Sequence, residues 1–305
     1  MNLVTAVIPT WNRPDLVLRA VRSALAQDHD SIEVIVVIDG PDAKTNFVLS
    51  EVHDHRLKVI VLDTHIGGAG TRNIGVRAAQ GKWIAFLDDD DEWLPNKISA
   101  QLGVAANSNA LFPVISCRMF ARTPFHQYIW PRRLPSASEP ISEYLLARRS
   151  LFQGEGTVTT TTLLAPRALL LKIPFGADQQ RHQEWDWLLR ALVEPGTKLE
   201  FAPEPLSVWH IDEARTSISA RNNWRYSYEW IERMRPFITP RAYAAFLLTL
   251  VTSLAARAGD WRAYGKILIS SLRRGRPAPI DLLLFCGMVT VPQSYRRRLR
   301  ALFSS

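Results

Sequence analysis

An apolar run of strand length leads directly into five carboxylates in the stretch Gly81-Lys82-Trp83-Ile84-Ala85-Phe86-Leu87-Asp88-Asp89-Asp90-Asp91-Glu92-Trp93. Adjacent carboxylates repel one another, so the cluster is costly unless water or a cation neutralises it. Oxygen-rich clusters of this kind suit Mg²⁺ or Mn²⁺, above all where phosphate oxygens complete the shell. The alternative is a solvated acidic turn that opens a helix, where carboxylates also favour the helix dipole.

Length and composition describe an ordinary globular protein with one large domain or two small ones. Its 305 residues are 47% hydrophobic and 22% charged, which argues against a disordered chain. The two cysteines, Cys117 and Cys286, lie far apart and give neither a disulfide framework nor a metal-binding spacing, so a reducing cytosol is expected. Residues 1–9 lack a basic n-region and continue as a strand pattern, so they do not read as a signal peptide.

The positive charge is concentrated near the C-terminus. Residues 241–305 hold eleven basic and two acidic residues, a net charge of +9 against +8 for the whole chain. The charge-free run 242–256 is shorter than a membrane span requires. Basic residues interleaved with apolar runs favour an anionic membrane surface. Nucleic acid is another use of such charge, although no nucleic-acid motif accompanies it, and a solvated basic helix without a partner is a third interpretation.

Four short apolar runs predict strands that alternate with helices. Such alternation implies right-handed crossovers and a mainly parallel sheet, whose ligands bind beyond the carboxyl ends of the strands. The predicted strands are residues 3–10, 33–40, 58–62 and 83–87. Asn12-Arg13, Asp39 and the Asp88–Asp91 run all follow the ends of these strands. We therefore expect a functional site at this edge of the sheet.

A glycine-rich segment, Gly67–Gly75, follows the third predicted strand. It contains Gly68-x-Gly70, but Asn73 stands where a dinucleotide fingerprint has its third glycine, and the fingerprint would follow the first strand. These departures argue against a dinucleotide site. A loop that lets backbone N–H groups and Arg72 approach a phosphate is one interpretation, and a purely structural tight turn is the other.

Three later segments carry candidate residues. Residues 157–164 are rich in threonine and strongly favour a strand. Glu184 and Asp186 open a predicted helix, where acids often serve only to complement the helix dipole. A further predicted strand, 201–210, ends in His210, which could be a packed histidine or a metal ligand.

Four of these segments together resemble the family 2 glycosyltransferases of the GT-A fold. The resemblance rests, in order and spacing, on Val7–Pro14, Val36–Gly40, Gly70–Gly75 with Gly81, and Ile84–Trp93. It implies an α/β fold with a Rossmann-like, mainly parallel sheet and helices on both faces. It also implies a transferase domain over residues 1–220. The resemblance does not extend to residues 221–305, which the charge and the apolar runs predict to be a basic helical C-terminal region that associates with a membrane.

The resemblance assigns roles to individual residues. The donor, a nucleotide sugar and in particular a UDP-sugar, is expected to bind along the sheet edge at Pro9, Thr10, Asn12, Arg13, Asp39, Arg72, Asp88 and Asp89. A Mn²⁺ or Mg²⁺ ion would lie on Asp90, with Asp88 and His210 as further ligands. Gly40-Pro41 replaces a second acid and a serine that the family often carries, which leaves the base of the donor open.

The resemblance also places a general base at the start of a helix, often in a Glu-Asp pair. The corresponding residues here are Gln183-Glu184, so Glu184 is expected to be the base, with Asp186 as its competitor. Trp93 and Trp185 are expected on the acceptor side. The expected enzyme is an inverting, metal-dependent hexosyltransferase that acts on a glycan or lipid-linked acceptor at the cytoplasmic face of a membrane, without nucleic acid as a partner.

Two other functions compete with this one. A sugar nucleotidyltransferase shares a nucleotide-binding sheet but needs a glycine-rich, basic loop after the first strand, where this chain has Pro9-Thr10-Trp11-Asn12. A non-catalytic scaffold that binds nucleotide sugars would keep the donor site without a working base. The acids at positions 184 and 186 distinguish the scaffold from the enzyme.

Overall fold

A computed structural model describes residues 2–151, 154–211 and 223–291 of the chain. Runs of β-branched and aliphatic residues form its central strands. The chain divides into two compact units, Met1–Leu134 with Thr157–Arg215, and Pro135–Gly156 with Thr216–Ser305. The expected boundary at residue 220 lies outside the described residues. Residues 135–156 belong to the second unit, whereas the sequence placed them within the first domain.

The first unit alternates strands and helices along the chain. Its elements are β1 (Val4–Thr10), α1 (Pro14–Leu25), β2 (Ile32–Ile38), α2 (Ala43–Ser50), β3 (Leu57–Val61), α3 (Gly67–Ala78), β4 (Trp83–Phe86), β5 (Glu92–Trp93), α4 (Lys97–Ala106), β6 (Phe112–Arg122) and β7 (Gln127–Trp130). After residues of the second unit, it continues with β8 (Leu164–Pro166), α6 (Arg167–Lys172), α7 (Gln183–Ala191) and β9 (Thr197–His210).

One sheet runs through this unit in the order β3-β2-β1-β4-β8-β6-β9-β5, and β7 pairs with β6. The four strands from β3 to β4 are parallel, and β8 joins antiparallel to β4 and β6. The carboxyl ends of β1, β2 and β4 therefore meet at one edge, as the sequence predicted. β6 and β9 form a second parallel pair, so that the end of β9 lies beside β5.

Alternation along β1 directs side chains to both faces of the sheet. Ala6 and Ile8 pack in a core with Val17 and Val21 of α1. Val7 points the other way, against α3, where Gly75 allows a close approach. A Cβ atom at Gly75 would lie 2.4 Å from Cγ1 of Val7, so this helix can rest on the sheet only without a side chain there.

Two local expectations differ from the structure. The threonine-rich segment forms a 3₁₀ turn over Thr160–Thr162 and only a short strand after it, because its hydroxyl groups bond to distant polar groups instead of lying along a sheet. The glycine-rich segment is not an open loop, since α3 already begins at Gly67. Gly67 itself has φ +82°, a backbone conformation that favours glycine.

The second unit is helical. It contains α5 (Ile141–Leu146), α8 (Trp224–Met234), α9 (Pro240–Phe246), α10 (Thr252–Arg257), α11 (Ala263–Arg274) and α12 (Pro279–Thr290), with a 3₁₀ turn at Arg235–Phe237 and a π-helical turn at Leu247–Val251. The charge-free run 242–256 is mostly buried within this unit. Among the described residues, no helix is both long enough and apolar enough to cross a membrane.

The contact between α3 and the sheet gives a stability prediction. Gly75→Ala should lower the free energy of unfolding by about 1–3 kcal/mol, because the new methyl group overpacks against Val7. Urea unfolding followed by circular dichroism measures this change.

Gly103→Ala is the matched control, since Gly103 also lies in a helix but has no atom within 4 Å of an added Cβ. It should raise stability by up to about 1 kcal/mol through helix propensity. Equal effects of the two substitutions would contradict the packing argument.

Candidate active site

The four aspartates form a turn between β4 and β5, and their burial alternates. The side chains of Asp88 and Asp90 are 30% and 18% exposed, whereas Asp89 and Asp91 are buried. The odd and even positions of the run therefore have different surroundings. Asp88 and Asp90 can meet a ligand, and Asp89 and Asp91 tie the turn to the protein.

Asp89 is held by residues at and just after the end of β1. Thr10 Oγ1 donates to Asp89 Oδ2 at 2.8 Å, and Arg13 Nη1 donates to Asp89 Oδ1 at 2.8 Å and to Asp90 Oδ2 at 3.0 Å. Burial raises the pKa of Asp89 to about 6, although the positive charge of Arg13 opposes this rise. Arg19 adds a hydrogen bond to the carbonyl oxygen of Asp90. The arginine side chains thus neutralise part of the negative charge that a cation or water would otherwise have to balance.

The threonine turn holds the other two aspartates. Thr160 Oγ1 donates to both carboxylate oxygens of Asp88, at 2.9 and 2.8 Å, and Thr161 Oγ1 donates to Asp91 Oδ2 at 2.6 Å. Burial raises the pKa of Asp91 well above its usual range. The sequence analysis missed these threonines, because a threonine run favours a strand by propensity. The one feature of the sequence that could have indicated their role was an unusual run of hydroxyl side chains between apolar residues.

Arg72 connects the aspartate turn to α7. Its Nη2 bonds to Asp88 Oδ1 at 2.5 Å, and its Nη1 donates to Gln183 Oε1 at 2.6 Å. Gln183 Nε2 in turn donates to the carbonyl oxygen of Gln179 at 2.7 Å. A Cβ atom at Gly68 would lie 3.1 Å from Arg72 Nη1, so this glycine leaves room for the bridge. Gln183, which replaces an acid of the expected Glu-Asp pair, thus has a defined position.

Glu184 follows Gln183 in the first turn of α7. Burial, together with the nearby Asp88 carboxylate, raises the pKa of Glu184 to about 7, against the opposing effects of a backbone hydrogen bond and of the charge of Arg72. A carboxylate with a pKa near 7 is suited to accept a proton at neutral pH. Asp186 instead forms an ion pair within α7, with Arg190 Nε 2.8 Å from its Oδ2. Of the two acids, only Glu184 has surroundings that suit a general base.

The end of β2 is occupied by a compact polar group. Both carboxylate oxygens of Asp39 accept backbone hydrogen bonds, from Ile66 at 2.8 Å and Gly67 at 2.9 Å, and His65 Nδ1 lies 3.0 Å from Oδ2. Trp11 is 48% exposed and packs on His65, with ring centroids 4.4 Å apart. Asp39 thus organises the loop before α3, and its predicted contact with the base of a donor stays a prediction.

Residues 9–13 pass beside this group. Pro9 pairs with β2 inside the sheet. Asn12 has φ +54°, and its backbone N–H donates to Asp42 Oδ2 at 2.7 Å, which holds this turn in a left-handed conformation. The structure therefore brings the expected donor residues of β1, β2 and the aspartate turn to one edge of the sheet.

His210 is paired with Glu92 beside the aspartate turn. Its Nε2 lies 2.6 Å from Glu92 Oε1, and its backbone N–H donates to Asp91 Oδ1 at 3.3 Å. Within the described ranges, no three His, Cys, Asp or Glu side chains are grouped so as to hold a metal ion. In the register of β5 with β9, Glu92 lies opposite Val208, and the Glu92 carboxylate meets the His210 ring two residues further along β9. The expected metal set of Asp88, Asp90 and His210 stays a prediction.

The two tryptophans assigned to the acceptor side have different positions. Trp93 is 3% exposed, and its Nε1 donates to the carbonyl oxygen of Thr161 at 3.1 Å. A buried indole has almost no surface to offer an acceptor, so we assign Trp93 to support of the threonine turn instead. Trp185 is half-buried, stacks on His182 and donates to the carbonyl oxygen of Val158 at 3.2 Å. Its acceptor contact stays a prediction.

The comparison with known families decides which chemistry this edge serves. The family model described as Glycosyl transferase family 2 matches residues 5–173, more than half of the chain. The chain belongs to glycosyl transferase family 2. The match covers the aspartate turn, Arg72 and the threonine turn, and it ends before α7.

Relatives of this family 2 glycosyltransferase are named for polysaccharide biosynthesis. The chain is 28% identical over 280 residues to the putative colanic acid biosynthesis glycosyl transferase WcaA of Escherichia coli, covering 90% of this chain and 95% of that one. It is 27% identical over 257 residues to the amylovoran biosynthesis glycosyltransferase AmsB of Erwinia amylovora, covering 81% and 83%. Over 112 residues it is 35% identical to the UDP-Glc:alpha-D-GlcNAc-diphosphoundecaprenol beta-1,3-glucosyltransferase WfaP of Escherichia coli, covering 37% and 45%.

Solved structures share the fold. Residues 1–349 of TarS from S. aureus, in complex with UDP-GlcNAc, superpose with a TM-score of 0.55 at 18% identity, covering 89% of this chain and 72% of that one. Mannosyltransferase PcManGT from Pyrobaculum calidifontis, in complex with GDP-Man and Mn²⁺, gives 0.57 at 17%, covering 97% and 82%. At these identities the likeness concerns the fold alone, and it confirms the GT-A class.

The raised pKa of Glu184 gives a pH-dependent stability prediction. Above pH 7 the carboxylate is charged in both the folded and the unfolded chain, and the folded chain bears the cost of burying it. Below about 4.5, its ordinary value, it is neutral in both. Glu184→Gln should therefore be more stable than the wild type at pH 8, by on the order of 2 kcal/mol, and this gain should shrink as the pH falls to 5.

Thermal unfolding at pH 5 and pH 8 measures the difference between the two chains. Asp186→Asn is the control, since it breaks the ion pair with Arg190 and should not stabilise the protein at either pH. An equal effect of Glu184→Gln at both pH values would show that the buried charge is not its cause.

Proposed function

We propose that this family 2 glycosyltransferase is a metal-dependent, inverting hexosyltransferase that uses a nucleoside diphosphate sugar. Glu184 carries the proposal, because burial beside Asp88 and Arg72 gives it a pKa of about 7, the value that suits a general base. The proposed donor is a UDP-sugar, and the proposed acceptor is the hydroxyl of a glycan or lipid-linked sugar. The names of WcaA, AmsB and WfaP support an acceptor of this kind.

The donor is proposed to lie along the edge formed by the ends of β1, β2 and β4. Thr10, Asn12 and Asp39 would face its nucleoside, and Arg13 and Arg72 would approach its phosphates. Both arginines already contact the carboxylates that lie between them. An incoming diphosphate would therefore exchange one anionic partner of each guanidinium for another.

Two carboxylates of the turn are suited to bind a divalent ion. Asp90 and Asp88 are the partly exposed members of the run, and Mg²⁺ or Mn²⁺ needs only one or two carboxylates when substrate phosphates complete its shell. A bound ion would neutralise the negative charge that grows on the departing nucleoside diphosphate. The Mn²⁺ in the structure of PcManGT supports this part of the proposal.

Glu184 would accept the proton of the acceptor hydroxyl as the oxygen attacks the anomeric carbon. The new C–O bond forms as the bond from that carbon to the diphosphate breaks, so a single displacement inverts the configuration. Gln183 holds Arg72 at 2.6 Å, which keeps the guanidinium between Asp88 and α7. The Asp88 carboxylate, on the side proposed for the donor, and the proposed base Glu184 are thereby fixed relative to each other.

The two alternative functions meet specific obstacles. A sugar nucleotidyltransferase would need a glycine-rich basic loop where β1 instead ends in Pro9-Thr10-Trp11-Asn12. A non-catalytic scaffold would bind the donor without needing an ionisable acid at position 184. We further propose that the reaction takes place at the cytoplasmic face of a membrane, where a lipid-linked acceptor would be held.

The assignment of the base predicts a separation of binding from turnover. Glu184→Gln should lower kcat by about 10²–10⁴-fold with little change in donor affinity, because the base acts only in the transition state. Asp186→Asn should lower kcat less than tenfold. In the wild type, kcat/KM should rise as the pH increases through about 7, since the base must be ionised.

Release of UDP from UDP-glucose, with a GlcNAc-diphospholipid as acceptor, measures turnover. Wild-type turnover in Glu184→Gln would refute the assignment of the base. Donor binding by the wild type without release of nucleoside diphosphate to any acceptor would favour the scaffold.

The proposed ion predicts metal-dependent binding of the donor. One of UDP-glucose, UDP-GlcNAc and GDP-mannose should raise the Tm in the presence of Mn²⁺ and not with EDTA, since a ligand at 100 times its Kd stabilises the fold by about 2.7 kcal/mol. Asp90→Asn should abolish the effect of Mn²⁺. Asp30→Asn, an exposed carboxylate before the amino end of β2, is the control and should keep it. An unchanged Mn²⁺ response in Asp90→Asn would exclude Asp90 as the ligand.

A further inference from the structure

The helix α12 is apolar, yet most of it lies outside the core. Of its twelve residues, only Asp281 and Phe285 are buried. Leu283 is 60% exposed and Val289 is 40% exposed. The preceding helix continues this pattern, since Ile269 and Leu272 of α11 are 52% and 56% exposed. Water-exposed leucine, isoleucine and valine side chains on adjoining helices indicate a surface that has a partner.

The N-terminal end of α12 is fixed firmly, so its exposure is not that of a loose terminus. Asp281 is buried, forms an ion pair with Arg241 of α9, and accepts a hydrogen bond from the backbone N–H of Ala278 at 2.8 Å. Tyr264 of α11 and Phe285 meet edge to face, with ring centroids 6.4 Å apart. The second unit therefore holds α12 against Leu247–Val251 and α10, with one ring contact to α11, while its other apolar side chains stay partly or largely exposed.

Basic side chains accompany this surface. Residues 257–291 contain six of them, all exposed: Arg257, Arg262, Lys266, Arg273, Arg274 and Arg276. The same range contains two acids, and both are already engaged, Asp260 with Trp224 and Arg225, and Asp281 with Arg241. Trp261 is 69% exposed beneath the guanidinium of Arg262. Arg274 pairs with Glu232 of α8 at 3.0 Å, which offsets one of these charges. The surface is thus apolar and carries a net positive charge.

We propose that this face, formed by the exposed residues of α11 and α12, is a docking surface for an anionic lipid bilayer. Apolar side chains of an interfacial helix enter the boundary between headgroups and acyl chains, while basic side chains meet anionic headgroups. A second copy of the chain fits less well, because two copies of so positive a face would repel each other. The inference rests on the proposed function in one respect, since a bilayer would bring a lipid-linked acceptor to the enzyme.

Vesicle sedimentation of the full chain tests the proposal. The wild type should bind vesicles of phosphatidylglycerol and phosphatidylcholine, should bind pure phosphatidylcholine at least tenfold more weakly, and should lose affinity at high salt. The double variant Leu283→Glu/Val289→Glu should lose at least tenfold in affinity. Phe47→Glu, an equally exposed apolar residue of α2, is the matched control and should bind as the wild type does.

A second variant, Arg273→Gln/Arg276→Gln, leaves the apolar side chains intact. It should lose about fivefold in affinity for each charge removed. Both double variants should keep the Mn²⁺-dependent stabilisation by donor, so failure of the donor experiment and failure of this one are separate results.

Three outcomes would overturn the proposal, and the first two concern vesicle binding. One is wild-type binding to anionic vesicles that Leu283→Glu/Val289→Glu does not weaken, and another is no wild-type binding at all. The third is a wild-type dimer that does not bind vesicles and that the same double variant converts to a monomer, as measured by light scattering, because a second copy would then cover the face.

Discussion

Two arginines make the aspartate turn possible. Arg13, just before α1, meets Asp89 and Asp90, and Arg72 of α3 meets Asp88, so positive charge reaches the turn from helices on two sides. Without these partners, four neighbouring carboxylates could share one short turn only at a large electrostatic cost. The positions of α1 and α3, and of the strands that precede them, therefore bring these arginines to the turn as well as forming the core.

The turn is also divided along its length. Its buried members accept hydrogen bonds from Thr10 and Thr161, while its partly exposed members are paired with Arg72 and Arg13. Arg72 extends this arrangement to α7 through Gln183, so that one guanidinium spans the donor side and the helix of the proposed base. A shift of α7 would consequently move Arg72 relative to Asp88, although Asp88 and Gln183 are more than ninety residues apart in the sequence.

Much of this architecture could be read from the sequence. Short continuous apolar runs predicted β1 to β4 and their carboxyl ends, because such patterns are local. The role of Glu184 came from the resemblance to the family, and it stays a prediction. The threonine turn could not be read in the same way, since its hydroxyls bond to carboxylates about seventy residues away. The burial of Trp93 and the pairing of His210 with Glu92 depend on how β5 meets β9, which no local pattern encodes.

The glycine at position 68 has a consequence for how such sequences can diverge. It leaves the space through which Arg72 reaches Gln183, and a methyl group there would come within 3.1 Å of the guanidinium and 3.5 Å of Oε1 of Gln183. The distance to Gln183 is an ordinary contact, so a larger residue at 68 would meet the guanidinium of Arg72 first. Arg72 would then have to turn away from Asp88 and Gln183 together, so substitutions at positions 68 and 72 should covary.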